Sequence, residues 1–344
     1  MEKAHAPSER GSRAVILDKV PELRIDGVEI TAVNWVEKDL PHLVDKIVQS
    51  YEEYGDMEYL AEKDLPSKQV VIAVLEDLLK VLFPGYPGKI KFENTNIRTF
   101  LSESLQTIYV RLVGEIDKSL KYACRKLETC PIDACRRQAR QIGRELLEKI
   151  PHIRDLLIED INAAYEGDPA AKSTEEVILS YPCILAIATY RLAHELYCKD
   201  VPFISRIMSE YAHSKTGIDI HPGAMIGRNF FIDHGTGVVI GETAKIGDNV
   251  KIYQGVTLGA MSFLRDENGA IIKGKKRHPT VGNNVIIYSG ATILGGETVI
   301  GDNVIVGGNV WLTSSIPPDT KVTIVPSEQR TQEIRADSNS ELYG

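Results

Sequence analysis

An aliphatic residue recurs about every six positions between residues 218 and 312, often directly before a glycine. The members of this beat are Ile220, Ile226, Ile232, Ile240, Ile246, Ile252, Leu258, Val281, Ile287, Ile300, Val306 and Leu312. A period of six fits neither an α-helix nor an alternating strand. It is typical of a parallel β-helix, in which each coil buries its aliphatic face only by stacking on its neighbours. The beat therefore predicts a stacked-repeat architecture for the C-terminal part of the chain.

The beat is interrupted between residues 260 and 279, and an insertion into a stacked repeat is expected to leave it as a loop. A second irregularity is one step of seven residues between Ile293 and Ile300, which indicates a bulge near Gly295-Gly296. The beat ends before Ser314-Ser315-Ile316-Pro317-Pro318.

Residues from about 40 to 200 show helical periodicity instead. Apolar stripes predict helices over 70–82 and 97–120, then over 136–150 with a stop at Pro151, and over 154–165 and 182–199. The predicted fold class is α+β, with an N-terminal α-helical domain followed by a parallel β-helix. We expect a partly flexible N-terminal extension over 1–40, the helical domain over 41–205, the β-helix over 206–318 and a tail over 319–344.

Charge and composition limit the classes of partner. The 344 residues carry a net charge of −8, which argues against nucleic acid or an anionic membrane as the main partner. No apolar run approaches the ~20 residues of a membrane span, and residues 1–13 lack the apolar core of a secretion signal. A cytoplasmic protein is therefore expected.

The five cysteines are Cys124, Cys130, Cys135, Cys183 and Cys198. An odd number without the pair spacing of a metal site indicates reduced thiols. The first three could form a metal or redox cluster, or they could be incidental thiols on helices, and the sequence leaves both interpretations open.

Three of the eight histidines stand in the repeat region beside charged or turn residues. They occur in Asp219-Ile220-His221-Pro222, in Asp233-His234-Gly235-Thr236-Gly237 and in Arg277-His278-Pro279. A single histidine in such a coil is more often structural than catalytic. Three in one short repeat domain, one of them on the inserted loop, favour chemistry.

These segments resemble the serine O-acetyltransferases. The resemblance also includes Ile-Gly-Arg at 226–228, Val-Val-Ile-Gly-Glu-Thr-Ala at 238–244 and Gly-Val-Thr-Leu-Gly at 255–259. Those enzymes of cysteine biosynthesis are left-handed parallel β-helices. The resemblance covers about residues 160–325 and is most specific over 218–260 and 277–313. It implies transfer of acetyl from acetyl-CoA to the hydroxyl of L-serine, giving O-acetyl-L-serine, without a metal ion.

The resemblance assigns His234 as the general base. An alcohol is a poor nucleophile at neutral pH, and an imidazole with an unperturbed pKa of about 6.5 suits the removal of its proton. The implied partner of the other ring nitrogen is Asp219, which would fix the tautomer and stabilise the imidazolium. The two residues are 15 positions apart, a little under one coil of three six-residue sides, so contact between stacked coils is feasible.

Serine is a zwitterion and needs groups of both charges. The planar guanidinium of Arg277 suits its carboxylate. Asp168 and Asp233 match the family positions that meet the ammonium, and His278 would act near the carboxylate or hydroxyl. For Asp168 the alternative is a turn residue before Pro169, and for Asp233 it is hydrogen bonding within the coil.

The acetyl group and CoA are assigned by the same resemblance. Backbone N–H groups near Gly259 and Ala260 would stabilise the oxyanion, although many relatives have a second glycine where this chain has Ala260. The CoA groove would run past small residues that allow close approach, namely Ser289, Gly290, Gly307 and Gly308. The basic residues Lys273, Lys275 and Lys276 would either meet CoA phosphates or belong to a solvated loop.

Three other functions remain to be separated from this one. An O-acetyltransferase of a sugar or antibiotic shares the fold but lacks the amino-acid clamp. A β-helix carbonic anhydrase would use His221, His234 and His278 as zinc ligands, which Arg277 beside them disfavours. A non-catalytic scaffold gives no reason for these charged residues.

The resemblance also implies an assembly. It predicts a homotrimer, or a dimer of trimers, with each active site between two β-helices, and feedback inhibition by L-cysteine. Many relatives end in an isoleucine that inserts into cysteine synthase, whereas this sequence ends at Gly344. Gly344 lacks the aliphatic side chain of that isoleucine, so a complex with cysteine synthase is in doubt.

Overall fold

A computed structural model describes residues 24–25, 28–29, 32–53, 64–85, 96–127, 132–262, 266–267, 269–270 and 272–325. The chain divides into two compact units, Met1–Lys63 and Asp64–Gly344. The first unit contains the strands β1 (Arg24–Ile25) and β2 (Val28–Glu29) and the helix α1 (Ala32–Glu53). The two strands pair in antiparallel orientation. Residues 1–23 of the extension that we expect to be partly flexible lie outside the described residues, as does the tail beyond residue 325.

The second unit begins with six helices. They are α2 (Lys68–Leu82), α3 (Asn96–Leu127), α4 (Ile132–Gly167), α5 (Thr174–Ser180), α6 (Pro182–Tyr197) and α7 (Ile204–Thr216). Helix α2 begins after Ser67, whose hydroxyl accepts a hydrogen bond from the N–H of Val70 at 3.3 Å. Helix α1 runs across residue 40 and helix α7 across residue 205. We expected domain boundaries at these two positions, and the boundaries stay a prediction.

The predicted break at Pro151 is wrong. Helix α4 continues through Pro151 as one element of 36 residues. A proline inside a helix removes one hydrogen bond and crowds the preceding turn. The apolar stripe nevertheless continues across it, with Leu146, Ile150, Ile153 and Leu157 all buried. Packing of that stripe favours a single helix over a stop, as tertiary context often overrides local propensity.

The six-residue beat forms a parallel β-helix. Its strands are β3 (Asp219–Ile220), β4 (Met225–Ile226), β5 (Phe231–Asp233), β6 (Val239–Ile240), β7 (Lys245–Ile246), β8 (Lys251–Tyr253), β9 (Thr257–Gly259), β10 (Thr280–Val281), β11 (Ile286–Ile287), β12 (Thr292–Leu294), β13 (Val299–Ile300), β14 (Ile305–Val306), β15 (Trp311–Leu312) and β16 (Lys321–Val322). They stack into three parallel sheets, β13-β10-β7-β4, β16-β14-β11-β8-β5 and β15-β12-β9-β6-β3. The predicted fold class, helices followed by a left-handed parallel β-helix, is confirmed.

The beat residues fill the interior of this β-helix. All of them are buried except Ile226, which is half-buried. Strand β9 ends at Gly259 and β10 begins at Thr280, so the residues between them leave the stack. The one-residue slip lies between β12 and β13, where Gly295 has a φ of +104°.

Asparagines form a ladder along one corner of the β-helix. Asn229, Asn249, Asn284 and Asn303 have φ values from +53° to +58°, a left-handed conformation that asparagine tolerates better than most residues. Each side-chain amide donates to the next residue in the ladder, at 2.8, 2.9, 3.0 and 2.8 Å, and the last bond is to Asp319. The ladder satisfies the polar groups of each turn through the next coil.

The helices pack on the first coil through a buried ion pair. Arg191 of α6 donates to both carboxylate oxygens of Asp160 of α4, at 2.6 and 2.8 Å, and to the carbonyl of Gly227 at 2.9 Å. Asp160 also accepts from the backbone N–H of Phe230. These bonds fix α4, and therefore the segment that follows it, against the start of the β-helix.

No single described helix has the length and apolar composition to cross a membrane. Helices α5 and α6 reach that composition only as a pair bent by 78°.

Two of the three clustered cysteines meet where α3 ends and α4 begins. The Sγ atoms of Cys124 and Cys135 are 3.2 Å apart, longer than the ~2.05 Å of a disulfide. Cys130 lies outside the described residues, so both interpretations of the cluster stay open.

Candidate active site

His234 lies in an enlarged turn at the end of β5. Asp219 pairs with Val239, twenty residues later, whereas Val239 pairs with Thr257, eighteen residues later. The two extra residues fall between β5 and β6, in the turn that carries His234. This histidine has a left-handed φ of +59°, an uncommon conformation that a functional site often retains at some cost in free energy. Its side chain is 70% exposed and accessible to a substrate.

A carboxylate and an ammonium group lie beside that turn. Asp233 is buried, and its Oδ1 lies 3.6 Å from Nδ1 of His234. Its Oδ2 lies 3.1 Å from Nζ of Lys251, which stands at the start of β8. Burial lowers the pKa of Lys251, but its hydrogen bonds to Tyr253 and Asp233 outweigh burial and raise the pKa overall.

Asp168 joins the same cluster from the end of α4. Its carboxylate accepts from the hydroxyl of Tyr181 at 2.6 Å and from the N–H of Ala170 at 2.8 Å. These two hydrogen bonds hold the pKa of Asp168 below its usual range, with smaller contributions from the charges of Lys251 and His234. The hydrogen bond between Tyr181 and Asp168 raises the pKa of Tyr181 to about 12. Asp168 therefore shapes its turn and also lies in the electrostatic field of His234.

We call Asp168, Asp233, His234 and Lys251 the His234 cluster. A second group, the Arg277 cluster, consists of Tyr197, Glu242, Thr243, Arg277 and His278. The guanidinium of Arg277 donates to Oε2 of Glu242, whose Oε1 accepts from the hydroxyl of Tyr197 at 2.5 Å. Burial opposes ionisation of Glu242, but these two hydrogen bonds outweigh it and lower its pKa. Within the described ranges, no hydrogen bond or ion pair connects the two clusters.

His278 is held as a neutral imidazole. The N–H of Thr243 donates to its Nδ1 at 3.1 Å, so the neutral ring carries its proton on Nε2. Burial, and next the charge of Arg277, lower the pKa of His278 to about 4. The ring lies directly over Gly241, where an added Cβ would stand 2.0 Å from its Cδ2. A side chain at position 241 would therefore displace the imidazole ring. With its proton on Nε2, His278 can donate a hydrogen bond from that atom.

Asp219 and His221 are positioned differently from the other predicted residues. Among the hydrogen bonds and ion pairs of the described residues, none joins Asp219 to His234. The turn of His234 does stack on the residues before Asp219, since Gly237 donates to the carbonyl of Gly217 at 2.8 Å. His221 accepts from the N–H of Gly223 at 3.0 Å, and burial lowers its pKa to about 4. No set of three or more metal-binding side chains occurs in the described part of the chain.

The small residues predicted to line the CoA groove occupy two stacked coils. Ser289 and Gly290 follow β11, and Gly307 and Gly308 follow β14. A Cβ added at Gly308 would lie 3.3 Å from the carbonyl oxygen of Ser289, so the two segments are in close contact.

Gly259 and Ala260 stand at the base of the inserted loop. The carbonyl of Gly259 accepts from the N–H of Gly295 at 3.1 Å. Nearby is a cavity of about 300 Å³, lined by Met261, Lys275, Lys276, Arg277, Gly295 and Gly296 among others.

The basic residues of the loop have unequal surroundings. The Nζ of Lys276 donates to the carbonyls of Thr243 and Pro279, at 2.9 and 3.1 Å. Burial lowers the pKa of Lys276. Lys273 and Lys275 are exposed. Lys276 is also exposed, and its hydrogen bonds anchor the loop.

Sequence reasoning missed Lys251, Glu242, Tyr181 and Tyr197. Glu242 stands inside the Ile-Gly-Glu-Thr motif, so the motif contained a signal for it. Lys251 pairs with Phe231 in the neighbouring coil, which is visible only once the length of the enlarged turn is known. Tyr181 lies between α5 and α6, and Tyr197 ends α6, so neither has a signal in the repeat.

Comparisons with known proteins identify relatives of the chain. No protein-family model matches the chain. A plasmid serine acetyltransferase from Synechococcus elongatus is 47% identical over 255 residues, which cover 74% of this chain and 80% of that protein. A serine acetyltransferase from Staphylococcus xylosus is 52% identical over 137 residues, covering 40% of this chain and 59% of that one.

Two solved structures from Entamoeba histolytica share the fold. Serine acetyltransferase isoform 3 in complex with cysteine has a TM-score of 0.62 and 40% identity, covering 76% of this chain and 84% of that one. Serine acetyltransferase 1 in complex with L-cysteine has a TM-score of 0.63 and 37% identity, covering 75% and 87%.

Proposed function

Because this chain belongs to the serine acetyltransferase family, we propose that it transfers the acetyl group of acetyl-CoA to the hydroxyl of L-serine. The products are O-acetyl-L-serine and CoA. The observation that carries the proposal is the His234 cluster. It presents an exposed imidazole beside two carboxylates, which suits a hydroxyl and an ammonium on neighbouring carbons of one small substrate.

The reaction begins with removal of a proton. His234 accepts the proton of the serine hydroxyl while the oxygen attacks the thioester carbon. Asp219 stabilises the resulting imidazolium when the substrates are bound, because active-site hydrogen bonds often shorten only in the complex. The tetrahedral intermediate collapses, the carbon–sulfur bond breaks, and the imidazolium returns the proton to the CoA thiolate.

Charge on the intermediate needs a donor. Backbone N–H groups near Gly259 and Ala260 serve the oxyanion, because fixed dipoles stabilise charge that develops in the transition state. His278, neutral and protonated on Nε2, donates near the serine carboxylate or hydroxyl. CoA lies along Ser289, Gly290, Gly307 and Gly308, with the exposed Lys273 and Lys275 near its phosphates.

The substrate's two charges meet different clusters. Asp168 and Asp233 bind the ammonium, and Arg277 binds the carboxylate after it exchanges Glu242 for the substrate. Within the described residues the two clusters share no direct bond. We therefore propose that the protein is a homotrimer, or a dimer of trimers, in which His234 of one subunit faces Arg277 of the next.

Acceptor specificity tests this function. Release of CoA from acetyl-CoA is measured by a thiol reagent with L-serine, L-homoserine or a galactoside as acceptor. We expect release with L-serine to exceed release with the other two by at least about tenfold, since a site that binds both charges rejects acceptors that misplace or lack them. Release with the galactoside but not with serine would instead indicate an O-acetyltransferase of sugars and would refute the clamp.

A further inference from the structure

Lys251 connects the carboxylate of Asp233 with the backbone of the residue before Asp168. Its Nζ lies 3.1 Å from Oδ2 of Asp233 and donates to the carbonyl of Gly167 at 2.7 Å. Gly167 directly precedes Asp168. One ammonium group therefore bridges a strand of the β-helix and the last residue of α4. Asp233, at one end of the bridge, is proposed to bind serine, and Gly167, at the other end, directly precedes a residue with the same proposed role.

Aromatic rings hold the lysine in place. Its Nζ is 5.0 Å from the ring centroid of Phe231 and 4.5 Å from that of Tyr253, within the range of a cation–π interaction. Tyr253 in turn stacks on Tyr288, with centroids 5.1 Å apart. The side chain of Lys251 is only 18% exposed. A lysine in solvent samples many rotamers, and these contacts restrict that freedom for Lys251.

The ring of Phe231 also locates Gly167. A Cβ added there would lie 3.0 Å from Cδ1 of Phe231, so the backbone before Asp168 rests against that ring. Phe231 thus contacts both Gly167 and Lys251, and no side chain at 167 separates them.

The charges of the site are a second argument for a role of Lys251. Asp168 and Asp233 bring two negative charges to a site that receives one ammonium group. Lys251 supplies one positive charge, so one net negative charge remains for the substrate. Without the lysine, Asp233 would lose its ion-pair partner, and one of the positive charges that lower the pKa of Asp168 would be gone.

We propose that Lys251 is a positioning residue, which ties the Gly167–Asp168 segment to Asp233 and so sets the spacing of the two carboxylates that receive the substrate ammonium. This inference rests on the proposed function of the site. Lys251 does not contact the reacting atoms. It acts on the binding of serine and leaves the binding of acetyl-CoA alone.

The test is steady-state kinetics of Lys251→Met, which keeps the apolar stem and removes the charge. We expect the KM for L-serine to rise about tenfold, because a hydrogen-bonded charge is lost, while the KM for acetyl-CoA stays within about twofold. Lys251→Arg retains the charge and should recover most of the affinity for serine. The control is Lys321→Met, an exposed lysine in the same sheet, which should match the unaltered protein.

Several outcomes would overturn the inference. An unchanged KM for serine in Lys251→Met would do so, and so would equal rises in both KM values with no recovery in Lys251→Arg, since that pattern indicates packing alone. If Lys251→Met does not fold, Lys251→Gln decides the question by the same comparison. Absence of serine-dependent activity in the unaltered protein refutes the proposed function itself, whereas normal activity in both Lys251 variants refutes only the role of the lysine.

Discussion

Replacement of His234 by asparagine is expected to lower serine-dependent CoA release by about 10²–10⁴-fold, the usual contribution of a general base. Asparagine is the better replacement because His234 has a φ of +59°, which asparagine tolerates and alanine does not. The loss should fall on kcat, because the proton is transferred only in the transition state. Initial rates at saturating serine and acetyl-CoA measure it.

His213→Asn is the matched control. His213 lies in α7, and its side chain is 43% exposed beside Glu210. This variant should retain full activity, and both variants should unfold at the same temperature as the unaltered protein. A folded His234→Asn protein with more than about a tenth of normal activity would exclude His234 as the base.

Replacement of Arg191 by methionine is expected to lower the free energy of unfolding by about 3–5 kcal/mol, the usual cost of leaving one partner of a buried ion pair alone. The side chains of Arg191 and Asp160 are 4% and 0% exposed. Burial already raises the pKa of Asp160 despite its bonds to Arg191, and without Arg191 its remaining donor among the described residues is the N–H of Phe230. The variant also leaves the carbonyl of Gly227 without its guanidinium donor. Urea unfolding at one fixed protein concentration measures the change, because assembly contributes to apparent stability.

Two further variants separate charge from packing. Arg144→Met breaks the pair of Arg144 with Glu148, whose side chains are 67% and 65% exposed, and it should leave the unfolding midpoint nearly unchanged. The double variant Asp160→Leu with Arg191→Met should recover part of the lost stability, because it leaves no buried charge. A single Arg191→Met variant as stable as the unaltered protein would contradict the assigned role of the pair.

The sequence predicted the β-helix well because burial repeats locally in such a fold. Each coil places an aliphatic residue at the same position of each sheet, as Ile232, Ile252 and Ile287 do in one of them. The sequence therefore indicates the stack without knowledge of distant contacts. The slip near Gly295 was visible for the same reason. The break at Pro151 was wrong because the continuous apolar face of α4, formed by contacts across the unit, outweighs the local signal of proline.

The partners within the site were harder to predict. The motifs named His234, Asp233, Asp168, Arg277 and His278, but the ion pair of Lys251 with Asp233 depends on coil register. The register depends on the length of the enlarged turn, because its two extra residues break the six-residue count. The bond from Tyr181 to Asp168 joins a helix end to a turn 13 residues away, and no period in the sequence indicates it.

The arrangement of the two clusters between subunits is tested most directly by mixing two inactive variants. His234→Asn and Arg277→Met are co-expressed with different affinity tags, and assemblies that carry both tags are purified. A site shared between neighbours regains an intact His234 from one subunit and an intact Arg277 from the next. Among doubly tagged assemblies, random mixing restores about a third of the sites in a trimer and about a quarter in a dimer of trimers. We therefore predict clear serine-dependent CoA release where each variant alone shows almost none. Doubly tagged assemblies as inactive as the single variants would contradict a site shared between subunits.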